Sequence, residues 1–186
     1  MNMNVDTLIH NRFDIEVKDV NTGKVRQKVV AYNIVLDALY SKLCAGSTYF
    51  VNIHFGTGTG TLDPTRTSLF THLGTKTAVN DAFSYAMPVS SGRKKIVLNP
   101  EEFVGSTITE VGIAYSSTAA NLVTHAMLED IEGNPISITK TATDLITIYA
   151  TVFATVILPT GVTICNLSDN YLVKYLIGEA NSYPLS

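Results

Sequence analysis

Three glycines, Gly56, Gly58 and Gly60, alternate with threonine inside the stretch 48–74, TYFVNIHFGTGTGTLDPTRTSLFTHLG. A glycine-rich loop leaving a strand can cradle phosphate, so that chemistry is tested first. A dinucleotide loop needs G-x-G-x-x-G, because its third glycine lets helix and strand pack closely. Here the spacing is G-x-G-x-G and the third required position holds Thr61. A P-loop ends in Gly-Lys-Ser/Thr, its lysine reaching the phosphates. No lysine occurs between Lys42 and Lys76. The loop therefore reads as structural, and no cofactor is expected on it.

The remaining chemistry-bearing residues are scattered. His10, His54, His72 and His125 never pair at the i+2, i+3 or i+4 spacings of a local metal site, and they read as structural or surface histidines. Cys44 and Cys165 read as buried thiols rather than a bridge, with Cys44 in a helix and Cys165 in a strand. No serine lies in G-x-S-x-G and neither cysteine has an activating neighbourhood. Asp130, Glu132 and Asn134 alternate like a calcium loop, but Gly133 is misplaced and the distal glutamate is absent, so a turn is expected. Glu101 and Glu102 are adjacent, which points them in different directions and makes them surface charge rather than a glycosidase pair. Arg66 stands out, since its fork can hold the glycine loop's carbonyls or a neighbouring subunit's carboxylate. No catalytic or metal-binding set emerges, and the sequence reads as non-enzymatic.

The elements that must position these residues are mostly strands. Tyr49, Val51, Ile53 and Phe55 alternate with Phe50, Asn52 and His54, the period of a strand with one face in a core. Asp63 before Pro64 is a helix-start signal, and Leu69, Phe70 and Leu73 would give a short helix an apolar side ending at Gly74. Upstream, Phe13, Ile15 and Val17 alternate with charges, and Asn21-Thr22-Gly23 turns the chain into a returning strand over 24–30. Tyr32, Leu36, Leu39 and Leu43 predict the principal helix, near the N-terminus over 31–45, with Gly46 as its stop. A strand is expected over 82–88, a polar loop over 90–95 and short strands at 95–99 and 107–115. Glu110 and Gly112 lie inside the latter, where a glycine marks a bulge or a close backbone approach. Strands at 122–128 and 136–141 follow, then the longest, 145–158, with Ile146, Ile148, Ala150 and Val152 on one face and Thr147, Tyr149 and Thr151 on the other. The pattern predicts a mainly β fold: an antiparallel β-sandwich or flattened barrel of eight to ten strands, with that helix and a short second one. Residues 1–11 read as a polar arm, 12–177 as one domain and 178–186 as a tail.

With 186 residues the chain can bury a core without disulfides or metal. Nearly half of it is apolar, which excludes intrinsic disorder. A net charge of −3 argues against a nucleic-acid grip, and the tightest basic cluster is Arg93, Lys94 and Lys95. The run 145–158 is broken by threonines and too short to cross a bilayer as a helix.

Three stretches taken together, FVNIHFGTGTGTLDPTRTSLF, TITEVGIAYSS and LVTHAMLEDIEGNPISITKTATDLITIYATVFATV, resemble a module of virion proteins from tailed bacteriophages and prophages. The matching positions are Gly56, Gly58, Gly60, Leu69, Glu110, Gly112, Lys140 and the strand from Asp144 to Val156, and the likeness covers most of residues 12–158. The resemblance implies a structural part of a virus particle, of tail, collar or fibre type. Such a part is made in the bacterial cytoplasm and assembles with copies of itself and with other virion proteins. It also implies a structural or assembly role for Gly56, Gly58, Gly60, Glu110 and Gly112, with which Asp63 and Arg66 are grouped as residues of the same loop element. Long fibres have repetitive shafts and this chain has none, so a capsid auxiliary or decoration protein is the nearest alternative. A module that binds host-surface glycan through Tyr85, Tyr115 or Tyr149 is a further one.

Overall fold

The computed structural model describes residues 6–86, 88–157 and 171–179. Two long strands, β1 (Asp6–Asp19) and β12 (Asp144–Ile157), pair antiparallel along their whole length without a register break. They form the middle of a five-stranded antiparallel sheet in the order β2-β1-β12-β7-β6, with β2 (Val25–Tyr32), β6 (Val79–Tyr85) and β7 (Val89–Leu98). A second five-stranded sheet has the order β3-β10-β9-β4-β5, from β3 (Ile34–Val35), β4 (Asn52–Gly56), β5 (His72–Thr77), β9 (Glu110–Ala114) and β10 (Thr124–Met127). A small ribbon pairs β8 (Thr107–Ile108) with β11 (Ile138–Thr139). Alternate residues of both sheets enter one apolar cluster: Phe13, Ile15, Ile148 and Ile96 from the first, Ile53, Phe55, Val111 and Ile113 from the second. Burying every second side chain is what the period of two in these segments demands.

Several expectations need correction. The principal helix over 31–45 is only α1 (Asp37–Cys44), and three strands precede it. Residues 25–32 continue as β2 and 34–35 as β3, because Val29 and Ala31 fill the shared core by strand alternation. No helix follows Asp63-Pro64. Asp63 accepts bonds from the Thr65 N–H and hydroxyl at 2.8 and 2.7 Å, but this makes an isolated turn. Gly74 then lies inside β5, against Phe55 and Phe103, rather than at a helix end. The short second helix is elsewhere, α2 (Tyr171–Leu176).

The polar stretch 90–95 is not a loop but the heart of β7. Ser90, Gly92 and Lys94 point inward, and Lys94 threads its alkyl chain into the core to donate from Nζ to the Phe50 carbonyl at 2.8 Å. A long cationic side chain can line apolar surface and still satisfy its ammonium, which composition alone does not reveal. Burial lowers the pKa of that amine. Residues 6–11, read as an arm, extend β1. Cys44 is exposed at the end of α1 rather than buried. Cys165 and most of the predicted tail lie outside the described residues.

Candidate functional site

Glu110 begins β9 and points away from the shared core, on the face that Gly112 and Ala114 also occupy. Its carboxylate is nevertheless fully buried. The cover is the loop 57–71, which leaves β4 and returns into β5. Its ends are pinned together, with Gly56 opposite His72 and the Thr57 N–H donating to the Thr71 carbonyl at 2.9 Å. A compact loop with adjoining ends, packed by its own side chains, is an Ω-loop in character. Leu69 anchors it in a small apolar cluster with Leu36, Ala114 and Leu122. Asp37 donates its N–H to the Pro64 carbonyl at 2.9 Å, and Leu122 donates its own to Thr67 at 3.0 Å.

Four donors converge on the Glu110 carboxylate. Gly58 and Thr71 donate backbone N–H groups to Oε1 at 2.9 and 2.8 Å, and Phe70 donates to Oε2 at 2.8 Å. His125 Nε2 meets the same Oε2 at 2.8 Å. A carboxylate accepts, so this bond assigns the proton to Nε2. The Nδ1 atom is buried without a hydrogen-bond partner. Burial by itself raises the Glu110 pKa. The bonds from His125, Thr71, Phe70 and Gly58 outweigh it and leave the pKa below the ordinary glutamate value.

The glycines make that convergence possible. A Cβ on Gly56 would lie 2.5 Å from the Thr71 carbonyl oxygen and 2.6 Å from Glu110 Oε1. One on Gly58 would lie 2.6 Å from the Thr71 nitrogen and 2.7 Å from Oε1. A Cβ on Gly60 would lie 2.5 Å from the Phe70 ring edge, and a side chain on Gly112 would strike the Thr124 carbonyl. Thr109 completes the lacing, its hydroxyl donating to the Gly58 carbonyl at 2.6 Å and its N–H to Gly56 at 2.9 Å. Arg66 lies over the Phe70 ring, 3.9 Å from its centroid, and donates to the Ser68 carbonyl at 3.3 Å. Its contacts are internal to the loop. Asp63 caps a turn at the loop's exposed end and does not reach Glu110.

Of the residues singled out from sequence, Gly56, Gly58 and Glu110 come together directly. Gly60 and Arg66 join through Phe70, and Gly112 provides the close approach of β10. His125 is the member that sequence reading missed as a partner. The β9–β10 register sets Glu110 opposite Met127, so His125 sits diagonally across on the same face, within reach of a long side chain. The turn over 116–121 between the two strands was the signal for it.

The other polar groups are structural in the same sense. His54 is fully buried, with Nε2 2.9 Å from the Ser116 carbonyl, and burial lowers its pKa. Glu102 pairs with Lys76 Nζ at 2.5 Å and accepts the Asn99 N–H, while Asp130 folds its own turn by accepting the N–H groups of Glu132 and Asn134. Lys140 is buried, and its Nζ donates to the carbonyls of Pro100 and Asp144 at 2.9 and 2.8 Å. Among the described residues no three His, Cys, Asp or Glu side chains are placed to hold a metal ion, and no helix is long and apolar enough to cross a membrane.

A buried carboxylate with every lone-pair direction occupied is set up to hold main chain in place. It would have to give up a bond before accepting a proton from any reactant. No protein-family model matches this chain, and no curated protein or solved structure matches it.

Proposed function

We propose that the chain is a non-enzymatic structural subunit of a tailed-bacteriophage particle. In this reading the two sheets are the layers of an antiparallel β-sandwich, and the subunit assembles with copies of itself and with other virion proteins in a tail, collar or fibre-type appendage. One observation carries the proposal. The stretches bearing the resemblance to virion modules, far apart in sequence, converge on one carboxylate. The glycine loop supplies Gly58 and Phe70, the Thr-Glu-Val-Gly-Ile strand supplies Glu110, and the third stretch supplies His125. The motif's residues hold a loop in one shape instead of presenting a reactive group, as expected of a part that must keep a fixed surface through assembly.

The test is to purify particles produced by a host carrying the gene and to locate the chain with a specific antibody under the electron microscope. Label at the tail or neck is the expected result. Label spread over the icosahedral shell would replace the appendage reading with capsid decoration. Absence of the chain from purified particles would overturn the proposal.

A further inference from the structure

Terminal strands of open sheets expose a row of unpaired N–H and C=O groups, and proteins blunt such edges with bulges, charges or short length. This fold does so at each end of both sheets. Opposite the break between Val17 and Lys18, β2 carries Arg26 as an extra residue, bound to Asp144 at 2.6 Å. On the other border β6 carries the extra Asp81, which takes Arg93 and Lys95 at 2.6 and 2.8 Å. In the second sheet β5 shifts register at Gly56, and β3 has only two residues.

One stretch of edge carries no bulge. Residues 12–18 of β1 pair with β2, whereas 6–11 pair with β12 alone among the described residues. This half-strand contains no proline, glycine or bulge, and Leu8 is 60% exposed on it.

We infer that residues 6–10 of β1 pair antiparallel with the same residues of a second copy, about a two-fold axis through Leu8, to make one sheet continuous across two subunits. The inference rests on the reading of the chain as a self-assembling subunit and names the edge that does it. The bonding follows from the register. At the far end of β1 the Asp19 N–H donates to Lys24 on the β2 side, and the Val20 N–H donates to Thr143 on the β12 side. Main-chain groups alternate sides along a strand, and the unbroken pairing with β12 carries that alternation back to residue 6. Thr7 and Ile9 therefore direct their N–H and C=O groups into the open lane. With Leu8 on the axis, Thr7 of each copy faces the partner's Ile9, and N–H···O bonds form in both directions. Leu8 and the partner's Leu8 form the non-hydrogen-bonded pair, the closer of the two pair types, which removes an exposed apolar side chain from water. The pairing is isologous and closes at two copies.

The experiment uses the full chain in a Cys44→Ser, Cys165→Ser background. In a non-hydrogen-bonded pair the Cα atoms lie about 4.5 Å apart, inside the disulfide range of roughly 4.4–6.8 Å. Leu8→Cys should convert to a disulfide-linked dimer on mild oxidation, seen on a non-reducing gel, while His10→Cys should stay uncrosslinked. Sedimentation velocity supplies the second readout. Thr7→Pro removes an N–H that no strand pairing among the described residues uses, so it should keep the fold and weaken association by about tenfold or more. Leu8→Lys is the reserve variant should the proline disturb the strand, with the same expected direction. If the unmodified chain associates but Leu8→Cys fails to crosslink, or the edge variants associate as it does, the β1 pairing is overturned and self-assembly stands. If the unmodified chain sediments as a monomer at its highest soluble concentration, the self-assembling reading falls with it.

Discussion

The two sheets are closed by different physics. Around Glu110 the second sheet is sealed by main-chain hydrogen bonds that end on one carboxylate, with Leu69 in a small apolar cluster and the Phe70 ring against His125. At the tip of the first sheet, where β1 outruns β2, the α2 segment packs Leu176 and Ile177 on Ala154 and Val173 on Val156. Gly92 lets the Ile177 carbonyl approach the sheet, and the Tyr49 hydroxyl donates to the Leu176 carbonyl at 2.6 Å. Apolar contact tolerates small shifts, whereas converging hydrogen bonds admit one arrangement. The Glu110 region is built to be unique, and the first sheet leaves a strand edge unpaired among the described residues.

The sharpest way to break this contrast is Glu110→Ala. It strands one buried and two part-buried N–H groups and His125 together, and about 3–5 kcal/mol of stability should be lost in urea unfolding. Gly58→Ala attacks the same point from the loop side. Its methyl would press on Phe70, the Thr71 nitrogen and Glu110, and a loss of about 1–3 kcal/mol is expected from the same measurement. Lys140→Met tests whether a buried amine elsewhere matters comparably. Leaving the carbonyls of Pro100 and Asp144 unpaired should cost about 1–3 kcal/mol. Leu8→Lys lies at the other extreme, with the unfolding midpoint unchanged to within about 0.5 kcal/mol.

Acid sharpens the comparison further. The Glu110 pKa is depressed in the folded state, so its stabilisation is complete above the ordinary glutamate pKa and is lost as pH falls through the folded value. The stability difference between the unmodified chain and Glu110→Gln should therefore be largest near neutrality and shrink in acid. A difference that stays constant from neutral pH to below the glutamate range would remove Glu110 from its central role.

Much of the architecture was legible because alternation is a local signal. The strands around Phe13–Val17, Ile53–Phe55, Glu110–Ile113 and Ile146–Val156 could be read from period two alone. The failures share a cause. The stretch 90–95 looked like loop because Lys94 is charged, yet its alkyl stem lines the core. The stretch after Asp63-Pro64 looked helical, yet the N–H groups of Phe70 and Thr71 found a better acceptor in Glu110, forty residues away or nearly so. In both, a distant partner overrode a sound local preference. The glycines and Glu110 were singled out from the sequence one by one, while their contacts with each other could not be read.

By itself the amino-acid order settled that this chain folds into antiparallel strands, which segments bury which face, and that its glycine loop does not match the phosphate-binding patterns. Those properties depend on neighbours two to four residues apart. Only the tertiary structure decided that Glu110, Gly58, Phe70 and His125 share one buried charge, and that β1 runs past β2, so that Thr7 and Ile9 face no further strand among the described residues. The reason is that a hydrogen bond and a strand edge are properties of position in space, fixed by sheet register between segments that lie far apart along the chain.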